Sequence, residues 1–108
     1  MSRTAIVYQN GRKVGRIEEA VDGYQFAYDR DYLLDPAAES VSLTLPKRLE
    51  PYRSSVLFPF FYGLLAEGAL KKEQCRRLKL DENDHFGRLI KTTGEDVIGA
   101  VSVIEEGG

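Results

Sequence analysis

The chain has one cysteine, one histidine and no tryptophan in 108 residues. Each scarcity excludes something. A lone Cys75 forms no internal disulfide and suits a reducing compartment. A lone His85 supplies neither a His-based catalytic pair nor a multi-histidine metal site. No apolar run approaches the roughly 20 residues that cross a bilayer. No charged-then-apolar leader opens the sequence, so the expected location is the cytosol. A basic excess is also missing. Fifteen Lys and Arg stand against seventeen Asp and Glu, for a net charge of −2. Nothing in that balance neutralises a phosphate backbone, so direct nucleic-acid binding is not expected.

What is present is a globular composition: 43% hydrophobic and 30% charged residues, enough for one domain with a modest core over 1–108. The segment FPFFYGLLAEG (58–68) holds three of the five phenylalanines. Pro59 suits a first helical turn. Phe60, Phe61, Leu64 and Leu65 follow at helical-face spacing, and Gly68 is placed to end that helix in a left-handed conformation. The rest of the chain is expected to be built around this segment.

In chain order, Thr4 to Gln9 predicts a strand, and Asn10-Gly11 a type I′ turn. Lys13 to Glu18 predicts the returning strand, with Gly15 at a bulge or close backbone approach. Asp22-Gly23 is a second turn signal. Tyr24, Phe26 and Tyr28 then alternate as in a half-buried strand, which completes a meander. One helical turn is expected before Pro36. Val41, Leu43 and Leu45 predict a fourth strand ending at Pro46, and 47–55 a loop. After the aromatic helix, Lys71 to Leu80 predicts a second helix, basic through Lys71, Lys72, Arg76, Arg77 and Lys79. That basic face is either solvated or a contact for an acidic partner. Asp81, with Asp84 three residues on, predicts the start of a third helix, striped by Phe86, Leu89 and Ile90 and closed by Gly94. Val97 to Ile104 predicts a last strand. The expected fold is α+β: a small antiparallel sheet, the N-terminal meander plus later strands, packed with three short α-helices.

Catalytic machinery is hard to assemble from these residues. His85 falls just inside the third helix, where a surface or capping role accounts for it. Cys75 lies on the second helix without a nearby histidine, as a small buried hydrophobe does. The pairs Glu18-Glu19, Asp81-Glu82 and Glu95-Asp96 fall at helix starts and turns, which favour carboxylates. No Gly-rich phosphate loop or kinase catalytic loop occurs. No catalytic residue, cofactor or metal is expected. What remains is a recognition surface, and the corner Leu64 to Leu70 stands out. Its small residues join two helices, with Leu70 just beyond. It is either a packed helix–helix corner or a protruding one that docks into another protein.

Six segments, taken together, resemble one family: VGRI (14–17), YQFAYDRDYL (24–33), VSLTLP (41–46), FPFFYGLLAEG (58–68), RRLKLDENDHFGRL (76–89) and GAV (99–101). Their order and spacing are similar to the N-terminal subdomain of HipA-type kinase toxins. The most specific piece is Phe60-Phe61 followed by Leu64-Leu65-Ala66-Glu67-Gly68, where the family usually reads F-x-x-L-L-P-E-G. Ala66 replaces the usual proline, and Ala69 stands where many relatives carry a bulky aromatic, often Trp.

The kinase body that follows this subdomain in the longer toxins is not in the sequence. A separate copy resembles the small antitoxins of the HipS type, from split three-gene (HipBST) systems. That resemblance implies a bacterial cytoplasmic antitoxin with no enzymatic activity. It would neutralise a separately encoded HipA-like Ser/Thr kinase toxin (HipT), with a helix-turn-helix HipB-type protein in the same complex. The expected kinase-contacting residues are Tyr62, Leu65, Ala66, Glu67, Gly68, Ala69, Leu70, Lys71, Lys72 and Arg76. Leu70 or Tyr62 would serve as anchor in place of the missing aromatic. Two alternatives are an accessory N-terminal subdomain of a kinase toxin, and a structural or co-repressor subunit of a HipB-containing DNA-binding complex.

Overall fold

The computed structural model describes residues 3–93 and 101–106. The expected helix end at Gly94 and the 97–100 part of the last strand lie outside them. The meander forms as the sequence dictates. Strands β1 (Arg3–Gln9), β2 (Arg12–Ala20) and β3 (Gly23–Tyr28) run antiparallel. Asn10 and Gly11 both take positive φ, 52° and 81°, as a type I′ turn demands. The β1–β2 register shifts between Val7 and Tyr8. Just beyond the shift, a side chain on Gly15 would run into the Ala27 carbonyl of β3. The close approach expected there is the reason for the glycine.

Helix α1 (Arg30–Leu34) is the expected single turn. The fourth strand is elsewhere than predicted. Residues 41–45 make only an isolated bridge, Ser42 to Leu45, whereas β4 is Tyr52–Ser54, inside the stretch expected to be a loop. Local hydrogen bonding explains the exchange. The Ser42 hydroxyl accepts the Thr44 amide (3.2 Å) and bonds the Thr44 hydroxyl (2.9 Å), a competition that pulls such residues out of ladders. Val41 and Leu45 are instead fastened to Tyr28: its hydroxyl accepts the Val41 amide (3.0 Å) and donates to the Leu45 carbonyl. Strand β4 pairs with β3, from Tyr24–Ser54 to Phe26–Tyr52. Pro51 immediately precedes it, a position an outer strand tolerates.

Helix α2 (Pro59–Tyr62) stops well short of Gly68. Its last turn tightens, with Leu64 bonding back to Phe61 and Leu65 to Tyr62, both at 3.1 Å. Helix α3 (Gly68–Leu78) begins three residues earlier than expected. Gly68 has the left-handed conformation read from the sequence (φ 64°), but it opens α3 instead of closing α2. Helix α4 (His85–Thr92) starts later than Asp81, because Asp84 is its N-cap and accepts the Gly87 amide (3.1 Å). The described residues thus contain four helices, not three. Strand β5 (Val101–Glu105) pairs antiparallel with β1, and the sheet order is β4-β3-β2-β1-β5. Beyond β5 lies Thr93. Its hydroxyl donates to the Leu89 carbonyl (2.7 Å) and accepts the Val103 amide (2.9 Å).

The core lies between the sheet and the helices. Ala5, Val7, Ile17, Phe26 and Val103 face Phe61, Leu65, Phe86 and Leu89. The β3 aromatics each hold one element. Tyr24 stacks on Phe86 of α4 (6.3 Å), Phe26 meets Phe61 of α2 (5.5 Å), and Tyr28 stacks on Tyr32 of α1 (6.0 Å). Such contacts add about 0.5–1.5 kcal/mol beyond area burial. Replacing Gly15 with Ala should force β2 away from β3 at the centre of the sheet. The expected loss is about 1–3 kcal/mol, the range for overpacking, seen as a lower midpoint in urea unfolding with an unchanged slope.

Candidate functional site

The α2–α3 corner is built from three local choices. Pro59 fixes the first turn of α2, and Phe61 and Leu65 bury one face below the corner. Gly68 then supplies the positive φ that turns the chain into α3; a side chain there would meet open space, so the constraint is backbone conformation alone. Neither helix end at the corner is closed by a side chain: Glu67 is the N-cap of α3 and makes no capping bond.

Arg88 of α4 holds the corner from behind. Its side chain is only 2% exposed. One guanidinium nitrogen donates to the Ala66 carbonyl (2.7 Å) and the other, more weakly, to the Glu82 carbonyl (3.4 Å). A buried charge is costly unless it is hydrogen-bonded, so this pair of carbonyls sets the position of the corner relative to α4. Helical spacing gives no signal for it: two residues after Phe86, Arg88 lies off the stripe of Phe86, Leu89 and Ile90. It was not among the expected site residues.

The expected contact residues divide by depth. Leu65 is buried in the core and supports the corner from beneath. Ala66 is half-buried and gives its carbonyl to Arg88. Glu67, Gly68 and Ala69 are exposed, as are Leu70 at 53% and Tyr62 at 41%. The Tyr62 ring meets His85 edge to face at 5.2 Å. A shallow cleft of about 170 Å³ opens between Tyr62, Ala66, Glu67, Lys71 and Arg88. Lys71 lies 3.9 Å from Glu82, while Lys72 and Arg76 point outward from α3. Cys75 is buried on α3. Leu80 bonds back to the Cys75 carbonyl (2.8 Å) across the left-handed Lys79, closing the helix. The cleft brings Tyr62, Glu67 and Lys71 together, while Ala69 and Leu70 are exposed outside it.

A family model described as the HipA N-terminal domain matches residues 5–104. The chain belongs to the HipA N-terminal domain family. A solved structure of the N-terminal domain of HipA toxin is similar, with a TM-score of 0.73 and 30% identity over 96% of this chain and 92% of that one. An uncharacterised protein of Haemophilus influenzae is 36% identical over 104 residues, which are 96% of this chain and 93% of that protein. A putative kinase, Y4mE of Sinorhizobium fredii, is 33% identical over 105 residues. This chain spans only 25% of that kinase's length. The HipA N-terminal domain therefore occurs both within a kinase-sized chain and in a small protein of about this length. Among the described residues, no group of three potential ligands is arranged to hold a metal, and no helix is long and apolar enough to cross a membrane.

An ion-pair network braces the start of α4 against the sheet. Arg3 of β1 bonds Asp84 through two nitrogens (3.1 and 2.7 Å) and Glu19 of β2 (2.7 Å), and its guanidinium lies over the Phe86 ring at 5.2 Å. The Arg3 hydrogen bond, more than any other contact, holds the Asp84 carboxyl below the ordinary aspartate range; the Gly87 amide adds to this and partial burial opposes it. The same bond raises Arg3. The folded-state value of Asp84 is depressed, so its contribution to stability is complete above about pH 4 and is lost as pH falls below that. Asp84→Asn keeps a capping oxygen but removes the charge. In acid titrations followed by circular dichroism, the variant should lose part of the wild-type fall in stability between about pH 4 and pH 2. Arg88→Met should leave the Ala66 carbonyl unpaired and cost about 1.5–3 kcal/mol in chemical denaturation, the range for a hydrogen bond to a charged group.

Proposed function

We propose that this chain works as an antitoxin of the HipS type. It would bind a separately encoded HipA-like Ser/Thr kinase toxin in the bacterial cytoplasm, and neutralise it by occupying the place that the fused N-terminal domain holds in the longer kinases. The observation that carries this reading is the paired occurrence of the domain: as one quarter of a putative kinase, and as nearly the whole of a small relative. A domain that evolved against a kinase body retains the surface for one when the two are on separate chains. Binding, not catalysis, is its action. The single histidine is half-buried against Tyr62 and the single cysteine is buried in α3, which leaves neither in the setting of a nucleophile or general base.

The contact is the α2–α3 corner. Leu70 and Tyr62 are exposed apolar and aromatic groups on a backbone fixed by Arg88, the kind of anchor in which interface energy concentrates. Ala69 supplies no bulk, so inhibition proceeds by restricting the small lobe or phosphate-binding loop of the kinase, not by a wedge at that position. Lys72 and Arg76 accelerate encounter with an acidic surface. A HipB-type helix-turn-helix protein completes the complex and makes the DNA contacts for which this chain's charge of −2 is unsuited.

The 33% identity to the putative kinase favours a second reading, an accessory N-terminal subdomain acting within a kinase chain. A kinase reading frame directly downstream, with its own start codon, distinguishes the antitoxin from it. The direct test is co-expression with that kinase. The native chain should restore growth and co-purify with the kinase, and Leu70→Asp and Glu67→Arg should weaken both. If both variants rescue and co-purify as the native chain does, the corner is not the interface. Binding should also weaken as salt is raised, because Lys72 and Arg76 are solvent-exposed; an affinity independent of salt removes the electrostatic contribution.

A further inference from the structure

Leu43 is out of keeping with its own sequence pattern. Val41, Leu43 and Leu45 alternate as if along one buried strand face, and Val41 and Leu45 are buried. Leu43 is instead 98% exposed, at the tip of a tight turn that the Ser42–Leu45 bridge closes. We propose that this turn is a second docking point for the kinase, with the Leu43 side chain seated in an apolar pocket on the kinase surface. The proposal rests on the kinase-binding reading above.

The turn is held from all sides. The Leu45 amide bonds the Ser42 carbonyl (3.1 Å), and the Thr44 amide bonds the Ser42 hydroxyl (3.2 Å). The Tyr28 hydroxyl bridges Val41 and Leu45. Just outside, the Tyr32 hydroxyl donates to the Glu39 carbonyl (2.6 Å), the Lys47 amide to the Ser40 hydroxyl (3.0 Å), and the Lys47 ammonium to the Asp35 and Ala38 carbonyls (2.9 and 2.7 Å). A segment with so little ladder structure is thus fixed by buried aromatic hydroxyls. Single exposed leucines are common on protein surfaces. One fixed in advance loses little conformational entropy when covered, which is how a preorganised contact adds affinity.

Size and position select the occupant. One turn is far short of the about 800 Å² per partner that a stable interface uses, so it is an adjunct to a larger contact and does not suffice for self-pairing. The turn hangs from the Tyr28 end of β3, whereas α4, which anchors the corner, stacks on Tyr24. Four residues of strand separate those ends, about 13 Å. A partner reaching both must span the helical face of the domain. A kinase body, three times the length of this domain in the putative kinase relative, is large enough.

The test is calorimetric titration of the purified full chain against the purified kinase encoded beside it, with sedimentation velocity of the chain alone. Leu43→Asp should weaken kinase binding about tenfold or more, as burial of one leucine implies, while Leu43→Met stays near native affinity. Melting temperatures should not change, since the side chain packs on nothing in the domain. If Leu43→Asp binds as the native chain does and Leu70→Asp does not, the second docking point is wrong and the corner reading stands. If the native chain fails to bind the kinase, both are wrong. If the native chain self-associates, Leu43→Asp abolishes that, and kinase affinity is unaffected, the leucine serves a second copy and the proposal is overturned.

Discussion

Everything in this domain hangs on the alternation of three aromatics along β3. Tyr24, Phe26 and Tyr28 point to the same face of the sheet, and each is the attachment point of a different piece of chain: α4 through Phe86, α2 through Phe61, and α1 together with the 40–47 segment through Tyr32 and the tyrosine hydroxyl. The period-2 geometry of a strand therefore sets the spacing of elements that are far apart in sequence. The short helices gain little from helix propensity alone, since isolated helices of this length are marginal in water. Their positions come from the rings they cover.

The corner at Ala66 to Leu70 follows from that arrangement. With α2 fixed by Phe61 and α4 by Phe86, the chain between them must cross a short gap. Arg88 fills it by bonding the Ala66 carbonyl. The exposed side chains of the corner sit on a backbone held at both ends, the condition under which a small surface can bind well despite its size.

Most of the sheet was legible in the sequence. The β1–β2 turn was given by Asn10-Gly11, the close approach by Gly15, and the β3 face by its alternating rings. The errors arose where side chains compete with backbone. Val41 to Leu45 has strand periodicity, but the hydroxyls of Ser42, Thr44 and Tyr28 take over the amides and carbonyls that a ladder needs, and the pairing passes to Tyr52–Ser54. No single-residue property of 52–54 announces this, because the strand exists only through β3. Gly68 is left-handed, as its place in the sequence implies, but it opens α3 instead of closing α2, since a positive φ marks a junction without saying which side is helical. In the corner, the sequence leaves open whether Leu64 to Leu70 is packed or protruding, and the exposure of Tyr62 and Leu70 is visible only in the fold. The depth of Leu65 and the role of Arg88 were not legible either, because both depend on how α4 lies against α2.

Thr93 has a consequence for the outline of the sheet. The Val103 amide points away from β1, where another strand would ordinarily receive it, and the threonine hydroxyl is already there. An outermost strand with open hydrogen-bonding groups is a template for unwanted association between molecules. With one rung occupied by its own chain, β5 offers a foreign strand an interrupted ladder, so the domain can expose side-chain surface to a partner without also inviting backbone pairing at that border.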